Sequence, residues 1–137
     1  MNDVKLLDLH EKIYCDERGW VTNPLEVVSL SRESLYCLHI ASIKPGSIRG
    51  NHYHTNAIEW LLVCGGPAIV VWRSNDKSIC NFFVDVDKPA MFEIPPQMEH
   101  AVLNTSEKDI YVLSFSNSED RETIPCTSLF KPDNSID

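Results

Sequence analysis

Residues 46–66 read GSIRGNHYHTNAIEWLLVCGG. His52 and His54 stand two apart, which on a strand puts both imidazoles on one face. Glu59 follows five positions later, an odd step that would turn it to the opposite face of a continuous strand. Thr55 and Asn56 resolve this as a turn. The chain reverses there, and Glu59 opens the next strand toward the same interior. His100 arrives from a distant strand, so three imidazoles and one carboxylate are expected to converge at a barrel mouth. That donor set suits a divalent ion such as Zn, Fe, Mn or Ni and leaves positions open for water or substrate.

Outward from this stretch, β-branched and aromatic runs alternate with turn residues along the chain. The predicted strands are 20–25, 35–43, 50–54, 59–64, 68–73, 79–86, 91–94, 100–103 and 110–116. A short helix is possible near 31–34. Many short strands at such spacing describe an all-β sandwich or barrel. Both faces of 59–64 are apolar apart from Glu59, and a strand buried on both sides needs cover outside the core as well. A second sheet or a second subunit can supply it, and a homodimer is expected on this ground. Residues 117–137 are polar and turn-rich with one apolar anchor at Leu129 and Phe130. They read as a C-terminal arm or a frayed end.

The chain has 137 residues, so 1–137 is expected to be a single domain. Twelve basic residues stand against 20 acidic ones, a net charge of −8. This balance disfavours nucleic acid and anionic membranes, which both call for clustered Lys and Arg. It permits a small anionic ligand held by one or two arginines. Charges at Asp3, Lys5 and Asp8 break the first residues, so no secretory signal is read there. Five cysteines, scattered and odd in number, form no Cys-x-x-Cys pair. They are expected to be reduced thiols of a cytoplasmic core.

A His-x-His pair alone is commonly a surface feature; here the full spacing is what distinguishes it. Gly46, His52, His54, Glu59 and Gly66 are separated by five, one, four and six residues, a pattern that resembles the first cupin motif. Pro95, His100 and Asn104 resemble the second, with Pro89 and Gln97 where glycines are usual. The resemblance implies a cupin-type double-stranded β-helix (jelly-roll barrel). It also implies a metal site of His52, His54, Glu59 and His100. The segment Arg49-Gly50-Asn51-His52-Tyr53-His54 is similar to one in cupins that act on nucleotide-linked keto sugars. Residues 44–116 look most like the C-terminal cupin of a capsular polysaccharide epimerase. Asp16-Glu17-Arg18-Gly19 is similar to a segment of the keto-sugar epimerases and ketoisomerases.

These likenesses imply an isomerase of nucleotide-linked keto sugars in surface-polysaccharide biosynthesis. Such chemistry needs a base for an acidic C–H proton and a group to stabilise the enolate oxygen. The candidate bases are His39 and, where it is not a metal ligand, His54. His39 shares a strand face with Leu35, Cys37, Ala41 and Ile43, so burial is expected for it. Tyr53 alternates with the two histidines and should point away. Arg18 and Arg49 are candidates to hold a diphosphate. A metal-dependent oxygenase and a non-catalytic sugar- or metabolite-binding cupin are the alternatives.

Overall fold

The computed structural model describes residues 3–136. In chain order it shows β1 (Lys5–Leu7), β2 (Ile13–Asp16), β3 (Gly19–Thr22), α1 (Pro24–Val27) and a 3-10 turn (Arg32–Ser34). Then follow β4 (Tyr36–Ile43), β5 (Ile48–His54), β6 (Glu59–Cys64), β7 (Ala68–Arg73) and β8 (Ile79–Val84). The remainder is β9 (Ala90–Ile94), β10 (His100–Asn104), β11 (Ile110–Ser116) and β12 (Thr123–Pro125). The expected strand over 20–25 stops at Thr22. Asn23 caps α1 there by accepting from the Leu25 N–H at 3.1 Å, with Pro24 in the first helical turn.

Two five-stranded antiparallel sheets face each other, in the orders β1-β9-β6-β11-β4 and β12-β5-β10-β7-β8, and β2 pairs with β3 in a separate hairpin. This is the all-β, jelly-roll architecture expected. Leu61, Val63, Phe92, Ile94 and Val112 of the first sheet pack with Val70, Val84 and Val102 of the second. These positions follow the period-two alternation of each strand, which sends every second side chain into the layer between sheets.

The outer face of β6 is covered, but from within the chain. Trp60 and Leu62 pack with Leu9, Leu25, Val28, Leu30 and Leu35. The Trp60 ring stacks on Phe115 at 5.5 Å, and its Nε1 donates to Glu93 Oε1 at 3.0 Å. The N-terminal segment therefore does what a second sheet or subunit was expected to do, and β6 gives no ground for a dimer.

The tail is an arm, not a frayed end. β12 pairs with β5, and Leu129 and Phe130 bury against Val71, Ala101 and Leu103 on the back of the second sheet. Asn51 latches it: its Oδ1 accepts from the Leu129 N–H at 3.0 Å and its carbonyl from the Cys126 N–H at 2.8 Å. All five cysteines are free, but Cys15 and Cys37 are exposed instead of lying in the core. Among the described residues no helix is long and apolar enough to cross a membrane.

Candidate metal centre

β5 and β10 are neighbours, and between them the register shifts: His100 stands opposite His52, and Ala101 opposite Gly50. Asn51 is the extra residue, a bulge with φ of +56°. Gly50 has φ of +104°, and a Cβ there would lie 2.8 Å from the His100 carbonyl oxygen. Only glycine lets the two strands approach so closely at this point. The bulge aims His52 and His54 inward beside His100. Glu59, at the start of β6, reaches them from the facing sheet. A hydrogen bond from the Gln97 N–H to the His54 carbonyl, 2.6 Å, ties the turn before β10 to the end of β5. Gln97 itself has φ of +65°, so the position keeps the backbone shape of the usual glycine without being one.

The four candidate ligand atoms of His52, His54, Glu59 and His100 all lie within 4.8 Å of one another. His54, Glu59 and His100 are buried, whereas His52 is half-buried. The His100 Nδ1 lies 2.9 Å from the Met98 carbonyl. A carbonyl only accepts, so Nδ1 carries the hydrogen. In the neutral ring, Nε2 then presents a lone pair to Glu59 Oε1 at 3.1 Å. Two acceptors face each other there, and a proton or a cation must sit between them. His54 Nε2 is buried without a hydrogen-bond partner, 3.4 Å from Glu59 Oε2. An orphaned ring nitrogen beside a carboxylate is costly unless an ion uses it. The residues present fit a divalent metal.

The electrostatics favour the same occupant. Burial would raise the Glu59 pKa, but the His100 and His54 rings beside its oxygens outweigh it and hold the carboxyl well below its ordinary range. Burial, followed by the nearby His100 and His54, lowers His52 to about 4. Near neutral pH Glu59 is a carboxylate and His52 a neutral imidazole, the forms that bind metal.

Three residues around the cluster carry no motif in the sequence. Ser114 Oγ donates to Glu59 Oε2 at 2.7 Å, and Arg121 Nη1 donates to the same oxygen at 3.0 Å. Thr123 Oγ1 lies 3.0 Å from His54 Nδ1 and 3.3 Å from the Arg121 carbonyl. With Nδ1–H donating to Thr123 and the hydroxyl donating onward, Nε2 of His54 faces the cluster. The one available signal was Arg121 as the sole cation between Lys108 and Lys131.

The cluster lies in a pocket of about 570 Å³ also lined by His39, Arg49, Arg121 and Thr123. His39 is exposed, contrary to the burial expected of it, because the end of β4 opens into this pocket instead of the core. Its Nδ1 lies 2.6 Å from the Cys37 carbonyl and so carries the hydrogen. Arg49 is exposed at the pocket, with Nε donating to the Ser42 carbonyl at 2.8 Å. Arg18 does not line the pocket: it sits in the β2–β3 turn, paired with Asp16 at 2.5 Å. Tyr53 faces a separate pocket with Arg73, Lys77 and Gln97, as its alternation requires.

The model of the polysaccharide biosynthesis C-terminal domain family matches residues 14–127. The chain belongs to that family. Among solved structures, this family member is similar to CapF, a capsular polysaccharide assembling protein from Staphylococcus aureus, with TM-score 0.60 and 20% identity. That match covers 90% of this chain and 35% of CapF, so the chain spans about a third of its length. It is similar also to QdtA, a 3,4-ketoisomerase from Thermoanaerobacterium thermosaccharolyticum, with TM-score 0.67 and 16% identity over 90% of this chain and 88% of that one. Oxalate oxidase in complex with glycolate matches with TM-score 0.61 and 19% identity, over 98% of this chain and 60% of that one. These likenesses show the cupin fold of the family member. No curated protein sequence matches it.

Proposed function

We propose that this chain is a metal-dependent cupin that epimerises or isomerises a nucleotide-linked keto sugar in surface-polysaccharide biosynthesis. The observation that carries the proposal is the buried His52, His54, Glu59 and His100 cluster with its orphaned His54 Nε2, open to a ligand-sized pocket. The family match gives the biosynthetic context. The ligand class follows QdtA, whose structures hold TDP and TDP-4-keto-6-deoxyglucose.

In this reading those four residues hold a divalent ion, of the Zn, Fe, Mn or Ni kind, that supplies Lewis-acid stabilisation to a developing enolate oxygen. His54 is committed as a ligand, since Nδ1 is engaged by Thr123 and Nε2 faces the cluster. It is then unavailable as a base. His39 takes that role at the pocket wall: its Nδ1–H is fixed on the Cys37 carbonyl, which leaves the Nε2 lone pair to accept a proton. Arg49 contacts the diphosphate; Arg18 would need a partner outside this pocket. Residues 1–137 act as one cupin domain in the cytoplasm.

The test is a two-step measurement. Purified protein should carry about one equivalent of divalent metal, and His52→Ala or His100→Ala should remove it. Incubation with a TDP-linked 4-keto sugar in D2O should place deuterium next to the carbonyl, and His39→Ala should slow this about 100-fold or more while metal stays bound. Metal retained by both ligand variants would defeat the site assignment. The same donors with open positions on iron would support an oxygenase, and O2 uptake without exchange would favour that instead. Ligand-dependent thermal stabilisation with neither reaction would favour a sugar-binding module.

A homodimer also belongs to this reading, now on different ground. β4 is the edge strand of its sheet, and its outward residues Leu38 and Ile40 are 59% and 68% exposed.

A further inference from the structure

Arg121 lies on the loop between β11 and β12, and its Nη1 donates to Glu59 Oε2. Ser114 donates to the same oxygen. Glu59 Oε1 faces His100 Nε2 instead. Both oxygens of the carboxylate thus border an imidazole, Oε1 that of His100 and Oε2 that of His54 at 3.4 Å, and Oε2 is in addition held by the two protein donors. The guanidinium spends one N–H on this contact and makes no other hydrogen bond to a described residue. Its side chain is 23% exposed, against 5% for Glu59, and lines the pocket beside His52. A guanidinium carries five donors in a planar fork that matches two-oxygen anions. Here the unused part of that fork opens into the same space as the metal cluster. The acidic neighbours Glu119, Asp120 and Glu122 are exposed and are not among the residues lining the pocket.

We infer that Arg121 and the metal cluster form one subsite for an oxyanion, a carboxylate or an enolate, with its charge shared between the guanidinium and the ion. This inference rests on the proposed metal centre and deepens it: Arg121 selects the charge of the ligand that reaches the ion. It gives the chain a second source of stabilisation for an enolate oxygen, supplied by a preset donor.

The experiment uses the full chain loaded with Co(II), whose visible spectrum reports ligand entry. Oxalate, tropolonate and neutral imidazole are titrated into the native protein, Arg121→Gln and Arg121→Lys at equal cobalt content. Loss of a charge-assisted contact should weaken both anions about tenfold or more in Arg121→Gln, with imidazole unchanged. Arg121→Lys should recover part of the loss. Should Arg121→Gln not load, Arg121→Lys carries the test: it keeps charge without the fork, so oxalate affinity falls while imidazole affinity holds. Weakening of oxalate alone supports the subsite as a carboxylate site and counts against the keto-sugar reading. Equal weakening of all three ligands, or of none, overturns the inference while leaving the metal centre standing. Native protein that takes up no cobalt overturns both.

Discussion

At the scale of single residues, the centre depends on one glycine and one titration. Gly50 combines a left-handed φ with a Cβ direction aimed at the β10 backbone, 2.9 Å from the Ala101 Cα. Backbone cannot give way as a flexible side chain can, so Gly50→Ala should push β5 off β10. The expected outcome is a lower melting temperature, from strain of about 1–3 kcal/mol, and loss of stoichiometric metal, read by calorimetry and metal analysis. His52 makes a different prediction. Its pKa falls from an ordinary 6.5 to about 4 in the folded chain. Between those values the unfolded chain binds a proton that the folded chain refuses, so stability of the metal-free protein declines as pH falls from 6.5 to 4. Above 6.5 the residue contributes no slope. His52→Gln should flatten that part of a stability-against-pH curve while leaving the acid loss due to Glu59; an unchanged slope would show that His52 does not cause it. The four residues of the candidate metal cluster were legible because strand alternation and one turn translate sequence spacing directly into facing side chains. Arg121 was not legible, because it enters the site through the path of a loop that no local period encodes.

At the scale of elements, the longer inner strands followed their apolar alternation, whereas β1, β2 and β12 went unread. Each is three or four residues long and depends on a neighbour for its conformation. β12 shows what that dependence does. It lies along β5 with Thr123 opposite His54, so the arm both adds to the sheet and orients a histidine of the candidate metal cluster. Its far end is anchored by Phe130, 4% exposed, in a cluster with Leu129, Val71, Ala101 and Leu103. Phe130→Ala should cost about 3–5 kcal/mol if the arm unfolds only with the rest of the chain. A smaller loss, with new proteolytic cleavage confined to residues after Asn117, would show the arm opening by itself. In that second case Thr123 leaves His54, and metal should dissociate faster into a chelator although all four ligands remain. Thr123→Val separates the two effects, since it keeps the arm's shape and removes only the hydroxyl; it should speed metal loss without changing stability by more than about 1 kcal/mol.

At the scale of the whole molecule, the open question is what covers β4. The sequence pointed to β6 as the strand needing a second subunit, since both its faces are apolar. It did not show that the chain's own residues 7–35 would fold over Trp60 and Leu62, because such cover is long-range. β4 is the strand left with an unpaired edge, pairing only β11 through a register that sets Ile40 opposite Leu113. Eight residues long and carrying the exposed Leu38 and Ile40, it lacks the short length, prolines and charges that blunt sheet edges. A second copy laid antiparallel along it would pair the free backbone groups and bury those side chains together. It would also fix His39, which lines the pocket from the same strand. The expected result is a dimer in light scattering at micromolar concentration, and Ile40→Lys should shift it to monomer with metal content unchanged. If the dimer edge also steadies the strand that carries the proposed base, deuterium exchange should fall in that variant although His39 and the ligands are intact. A monomer in the native protein, or a dimer indifferent to Ile40→Lys, would place the interface elsewhere.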